Sequence, residues 1–186
     1  MDKIVIGLIG EKGSGKGTVA KHLIEKYQAE QFIVSDVLKK ILSDLALPLV
    51  RDNYTKLAVT LKSNFWKTIL MDALIENIKK SKSSFIIADG IRMEGDTEPF
   101  KKCFGKKFHL IYVTADIKLR YERSKLRQEK GEGMMTFEEY EQAENLATEI
   151  YIRELGKQAD FTLTNNKAFE DLIKQVEKVM KKIIEN

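Results

Sequence analysis

The chain has 186 residues, carries 32 Lys and Arg against 28 Asp and Glu for a net charge of +4, and is 43% apolar. That make-up supplies one sizeable core and excludes a disordered chain, while the single cysteine, Cys103, excludes a disulfide scaffold. No apolar run nears the roughly 20 residues of a membrane span, and the opening residues lack a basic leader, so the chain reads as cytoplasmic with no membrane partner. The small, dispersed excess charge points to no nucleic-acid partner.

In chain order, Lys3–Ile9 is apolar on both faces and predicts a strand buried in a parallel sheet. A glycine-rich turn follows, then a helix over Lys16–Ala29 with Val19, Ala20, Leu23, Ile24 and Tyr27 at helical spacing. Phe32–Val34 predicts a second strand, and Ser35–Leu47 a helix that Pro48 ends. An amphipathic helix is expected over Phe65–Ile78, then strands at Phe85–Ala88 and Phe108–Val113. A long charged helical region covers Ile117–Leu155, a fifth strand Phe161–Leu163, and a closing helix Ala168–Ile184. Strands alternating with helices mean βαβ units on a parallel sheet. The expectation is one α/β domain over residues 1–186, with helical inserts at about 37–80 and 117–155 longer than a crossover needs.

Between the first strand and first helix lies Gly10-Glu11-Lys12-Gly13-Ser14-Gly15-Lys16-Gly17-Thr18. Glycines let backbone N–H groups converge on phosphate oxygens, the helix N-terminus adds positive dipole, and Lys16 reaches the outer phosphates. Gly10, Gly13, Ser14, Gly15, Lys16, Gly17 and Thr18 are therefore the expected phosphate-binding residues. The plain alternative is a tight strand–helix turn. Gly17 stands where the general pattern has the Mg²⁺-holding hydroxyl, so direct metal ligation by Thr18 is only a secondary reading.

Asp89-Gly90-Ile91-Arg92 follows the third strand, where ligands bind open α/β sheets. Asp89 is placed to hold a water of a Mg²⁺ shell, and Arg92 to clamp a phosphate bidentately. Arg120, Arg123 and Arg127 share a helix face after the fourth strand. Three like charges repel unless an anion or acidic partners neutralise them, and ATP phosphates are the expected anion. A solvated helix face is the plain alternative. Gly131 and Gly133 are candidate hinges of a lid over about 117–140, which holds no cysteine for zinc. Met134-Met135 reads as core packing under it. His22 and His109 have no metal-ligand spacing, and the lysines flanking Phe104 read as a solvated loop.

The order Gly15-Lys16-Gly17-Thr18 resembles the adenylate-kinase group of nucleoside monophosphate kinases. With Glu98–Lys102, Thr114-Ala115-Asp116, Ala159-Asp160 and Asn165, the chain more closely resembles dephospho-coenzyme A kinase-related and AAA-type nucleotide kinases. The resemblance implies a three-layer α/β/α P-loop fold with a mostly parallel five-stranded sheet, a helical acceptor-binding insert and a short lid. It implies ATP and Mg²⁺ as cofactors and a small-molecule phosphate acceptor. It also places Asp36, Lys39 and Arg51 with Arg92 on the acceptor side, and Asn165 on the adenine side. Asp36 reads equally as a helix cap, Arg51 as a surface arginine, and Asn165 as a strand end. A nucleoside monophosphate acceptor needs cations but no base, because its phosphate is largely ionised at neutral pH. Dephospho-coenzyme A would need a carboxylate base at its hydroxyl, for which Asp36 is the candidate. A reading of another class is a regulatory ATPase or switch. Asn166-Lys167-Ala168-Phe169 only approaches a guanine-binding motif, so ATP is expected.

Overall fold

The computed structural model describes residues 3–93, 95–127, 135–145 and 147–185, with the side chains of 127 and 147–149 outside the description. Gly131, Gly133 and Met134 therefore lie outside the described residues, as does the Arg127 side chain. The first strand, β1, spans Ile4–Gly10, and helix α1 spans Lys16–Tyr27. They are followed by β2 (Glu30–Ile33), α2 (Val34–Asp44), α3 (Arg51–Asn64), α4 (Ile69–Lys80) and β3 (Phe85–Asp89). Next come α5 (Glu98–Phe104), a 3-10 turn, β4 (Phe108–Thr114), α6 (Ile117–Arg127), α7 (Phe137–Ala143), α8 (Ala147–Gly156), β5 (Phe161–Thr164) and α9 (Phe169–Glu185).

The described strands form one parallel sheet in the order β2-β3-β1-β4-β5. Parallel strands carry their C-terminal ends to one edge, so Gly10, Ile33, Asp89 and Thr114 converge there. Side chains alternate across the sheet, which splits its apolar residues between two cores. Val5, Ile9, Ile86, Ala88, Phe108 and Leu110 face α2, α4 and α5, with Leu155 of α8. Ile6, Leu8, Ile87, Ile111, Val113 and Leu163 face α1 and α9. The result is the three-layer α/β/α fold of P-loop NTPases. Helix α9 is also pinned to α1 by a His22–Glu177 contact of 2.6 Å.

Several stretches differ from the sequence reading, among them α5, because no helix was expected between β3 and β4. Residues 51–64 form a helix that periodicity did not mark, because Tyr54, Leu57, Ala58 and Leu61 are only partly buried and no residue of α3 is fully buried. Phe65 and Trp66 are exposed ahead of α4 rather than part of its apolar face, with Trp66 Nε1 donating to Asp72 at 2.7 Å. Among the described residues, the charged region after β4 forms three helices. Thr136 starts α7 with a reciprocal capping box to Glu139, which satisfies two orphan donors and sets the break.

Candidate functional site

Residues 11–15 join β1 to α1 at the C-terminal edge of the sheet. Gly15 has φ +103°, and a Cβ there would lie 2.3 Å from Asn165 Nδ2. Glycine is thus required both by the backbone and by the approach of the β5–α9 loop. The loop closes on itself through Ser14 N donating to the Glu11 carbonyl at 3.1 Å. Gly17 has open space at its Cβ position, and Thr18 N donates to the Gly15 carbonyl at 2.9 Å as α1 begins.

Lys16 Nζ donates to both oxygens of Asp89, at 2.6 and 2.7 Å. Gln31 Nε2, from the neighbouring strand β2, donates to Asp89 Oδ2 at 3.2 Å. Asp89 was expected beside the phosphate loop, and the strand register puts it there. Its carboxylate, however, is engaged directly by Lys16 rather than left to water alone. Gly90, at φ +105°, brings the start of α2 against the end of β3, since a Cβ there would meet the Val34 Cβ at 2.8 Å. Asp96 then shapes the turn by accepting from Arg92 N and Met93 N at 3.0 and 3.1 Å.

The arginines after β4 do not act as one exposed face. Arg120 is 4% exposed, so its expected place over ATP phosphates is corrected. Its Nε donates to the Ala115 carbonyl, and Nη1 and Nη2 grip the Glu144 carboxylate at 2.7 and 2.6 Å. Burial works against the charged guanidinium, but Glu144 more than offsets it and raises the Arg120 pKa. The physical reason is that acidic partners, not an anion, neutralise this charge. Arg123 is half-buried, donating to the carbonyls of Gly13 (3.4 Å) and Asn165 (2.8 Å).

Asn165 is buried, and its side-chain amide donates to the Ser14 carbonyl at 2.9 Å. It lines a pocket of about 230 Å³ with Gly15, Thr18, Arg123, Lys167, Phe169 and Leu172. Phe169 is 59% exposed at the mouth of α9. On the other side of the phosphate loop, Asp36 and Lys39 are exposed on α2, Arg51 is exposed at the start of α3, and Arg92 is exposed after β3. None of Lys39, Arg51 and Arg92 forms an ion pair with a described residue. A larger surface groove of about 600 Å³ lies between α4 and α5, beside Trp66, Ile69 and Pro99, and no phosphate-loop residue lines it.

The AAA domain family matches residues 9–141, from the end of β1 into α7. The chain belongs to that family. Among relatives, this AAA-domain chain is 26% identical over 184 residues to a UPF0200/UPF0201 protein of Archaeoglobus fulgidus. The match takes in 98% of this chain and 56% of that protein, so the chain spans little more than half of that relative's length. Its fold is shared with shikimate kinase from Acinetobacter baumannii (TM-score 0.57, 15% identity, 99% of this chain and 94% of that one). It is shared also with a gluconokinase from Sinorhizobium meliloti (TM-score 0.56, 13% identity, 98% and 91%).

Several residues of the AAA-domain site went unmarked in the sequence. Glu11 is 4% exposed, with Oε1 accepting from the Tyr112 hydroxyl and from Thr114 Oγ1 at 3.4 Å, while Oε2 has no hydrogen-bond partner among the described residues. Burial, reinforced by the bond to Glu11, pushes the Tyr112 phenol up to about 12. The glycine-loop motif assigns no role to Glu11, so only the tertiary structure places it inward. Gln31, Tyr140 and Glu144 likewise carry no motif.

Proposed function

We propose that this protein is a cytoplasmic ATP-dependent phosphotransferase whose acceptor is a nucleotide-like small molecule, a nucleoside or deoxynucleoside monophosphate. The observation that carries the reading is the pairing of Lys16 with Asp89 at the phosphate loop; Lys39, Arg51 and Arg92 supply exposed cations for the acceptor. Lys16 and the loop N–H groups take the ATP phosphates, and the pocket between Arg123 and Phe169 takes the base by stacking. The acceptor phosphate lies toward Arg51 and Arg92, with Asp36 and Lys39 beside it. Its oxygen attacks the γ-phosphorus as the β–γ bridging bond breaks, and ADP leaves. Arg127 is kept as a further candidate at the phosphates.

Mg²⁺ fits the hard oxygen donors of Asp89 and Thr18. Among the described residues no group of three or more His, Cys, Asp or Glu side chains is placed to hold a metal alone, so Mg²⁺ would share the nucleotide's own oxygens and neutralise their charge. A second reading rests on Asp36, exposed in the first turn of α2, acting as base toward a hydroxyl such as that of dephospho-coenzyme A.

The test is a coupled ADP-release screen with ATP, Mg²⁺, the common nucleoside and deoxynucleoside monophosphates, and dephospho-coenzyme A. ADP produced only when a monophosphate is added supports the proposal. Turnover with dephospho-coenzyme A that Asp36→Asn abolishes selects the second reading. ADP production indifferent to every acceptor makes the protein an ATPase. Lys16→Ala is expected to lower turnover by about 10²-fold or more, and activity persisting in it would place the chemistry elsewhere.

A further inference from the structure

The phosphate loop is braced from outside by the helices after β4. The Lys12 carbonyl accepts from Arg120 Nη1 at 3.4 Å and from the Tyr140 hydroxyl at 3.2 Å. In a trans peptide the carbonyl and the following N–H point opposite ways. Holding the Lys12 carbonyl outward therefore aims the Gly13 N–H away from α6 and α7. That orientation is what a phosphate-binding loop requires of its amides.

Arg120 reaches this carbonyl from a built ionic seat. Glu144, at the end of α7, is 6% exposed and holds the guanidinium by two parallel bonds. Arg153 of α8 steadies Glu144 in turn, donating to its Oε2 at 3.2 Å and to its carbonyl at 2.9 Å. A competing anion stands close by. Glu11 attracts the same guanidinium and has a buried oxygen without a hydrogen-bond partner among the described residues.

We propose that Glu144 is a positioning residue for nucleotide binding: it keeps Arg120 against the Lys12 carbonyl and off Glu11, and so holds the Gly13 amide in its phosphate-facing orientation. The inference rests on the reading of this loop as the ATP site. Glu144 does not touch nucleotide itself.

ATP titration calorimetry on the full chain tests it, well below the unfolding temperature and with circular dichroism confirming the fold of each variant. Glu144→Gln keeps the shape but loses the charge, and is expected to weaken ATP binding by about tenfold. Glu144→Asp, which restores the charge, recovers part of that loss. A merely structural Glu144 would lower the unfolding temperature and leave ATP affinity of the folded variant within about twofold of wild type, which overturns the inference. Should Glu144→Gln fail to fold, Tyr140→Phe decides. It removes the other donor to the Lys12 carbonyl and is expected to weaken ATP binding by about threefold, whereas unchanged affinity overturns the inference. A wild-type protein that binds no ATP overturns the nucleotide reading itself, and this inference with it.

Discussion

Tyr112 shows how much rests on single side chains beneath the phosphate loop. Its hydroxyl donates to the buried Glu11 carboxylate, and Gly156 of α8 lets the ring lie close, since a Cβ there would sit 2.7 Å from it. Tyr112→Phe removes a donor to a buried carboxylate that already has one oxygen without a partner among the described residues. The expected loss of stability is about 1–3 kcal/mol, read from urea unfolding midpoints at unchanged slope. Lys16 was legible as a candidate phosphate ligand because its neighbours in sequence are its neighbours in space. Glu144 was not, because its partner Arg120 lies 24 residues away and meets it only after α6 and α7 fold back.

At the scale of elements, the loop–helix junction of residues 13–18 is the most constrained piece. Gly15→Ala would force a side chain into a left-handed conformation and into the Asn165 amide. Asn165 would then lose its bond to the Ser14 carbonyl, and the β5–α9 loop would move off the phosphate loop. The expected outcome is a folded protein with ATP binding weakened by about tenfold or more, checked by the same titration. A variant with wild-type affinity would show that this junction tolerates a Cβ. The helices of residues 34–80 carry a different lesson. Their order and lengths were only partly legible, because α3 packs a half-buried face against other helices and leaves no clean apolar stripe.

For the whole molecule, one expected source of pH-dependent stability is a histidine on a sheet strand. His109 lies on β4, where burial lowers its pKa; Asp160 opposes that shift and Lys107 reinforces it. A histidine depressed in the folded state stays neutral while the unfolded chain, near its ordinary value of about 6.5, takes up a proton. Its stabilising contribution is full above that ordinary value. It falls as the pH drops from there through the folded value. His109→Gln should therefore flatten the decline in unfolding free energy between about pH 7 and about pH 5.5, measured by denaturant titration at each pH. An equal slope in wild type and variant would exclude His109 as a source.

The amino-acid sequence alone determined the five-stranded α/β plan and the phosphate loop. Both follow from local rules: runs apolar on both faces make buried parallel strands, and the spacing of glycines around one lysine makes an anion cradle. It also marked Asp89, because a carboxylate ending a central strand has little freedom in where it lies. Tertiary structure alone decided what each cation does. Lys16 joins Asp89, Arg123 holds two loop carbonyls, and Arg120 turns inward to Glu144, although the sequence marked all three alike as expected phosphate contacts. A charge is assigned by whichever opposite charge folding brings within a few ångströms, and that distance is set by helices far apart along the chain.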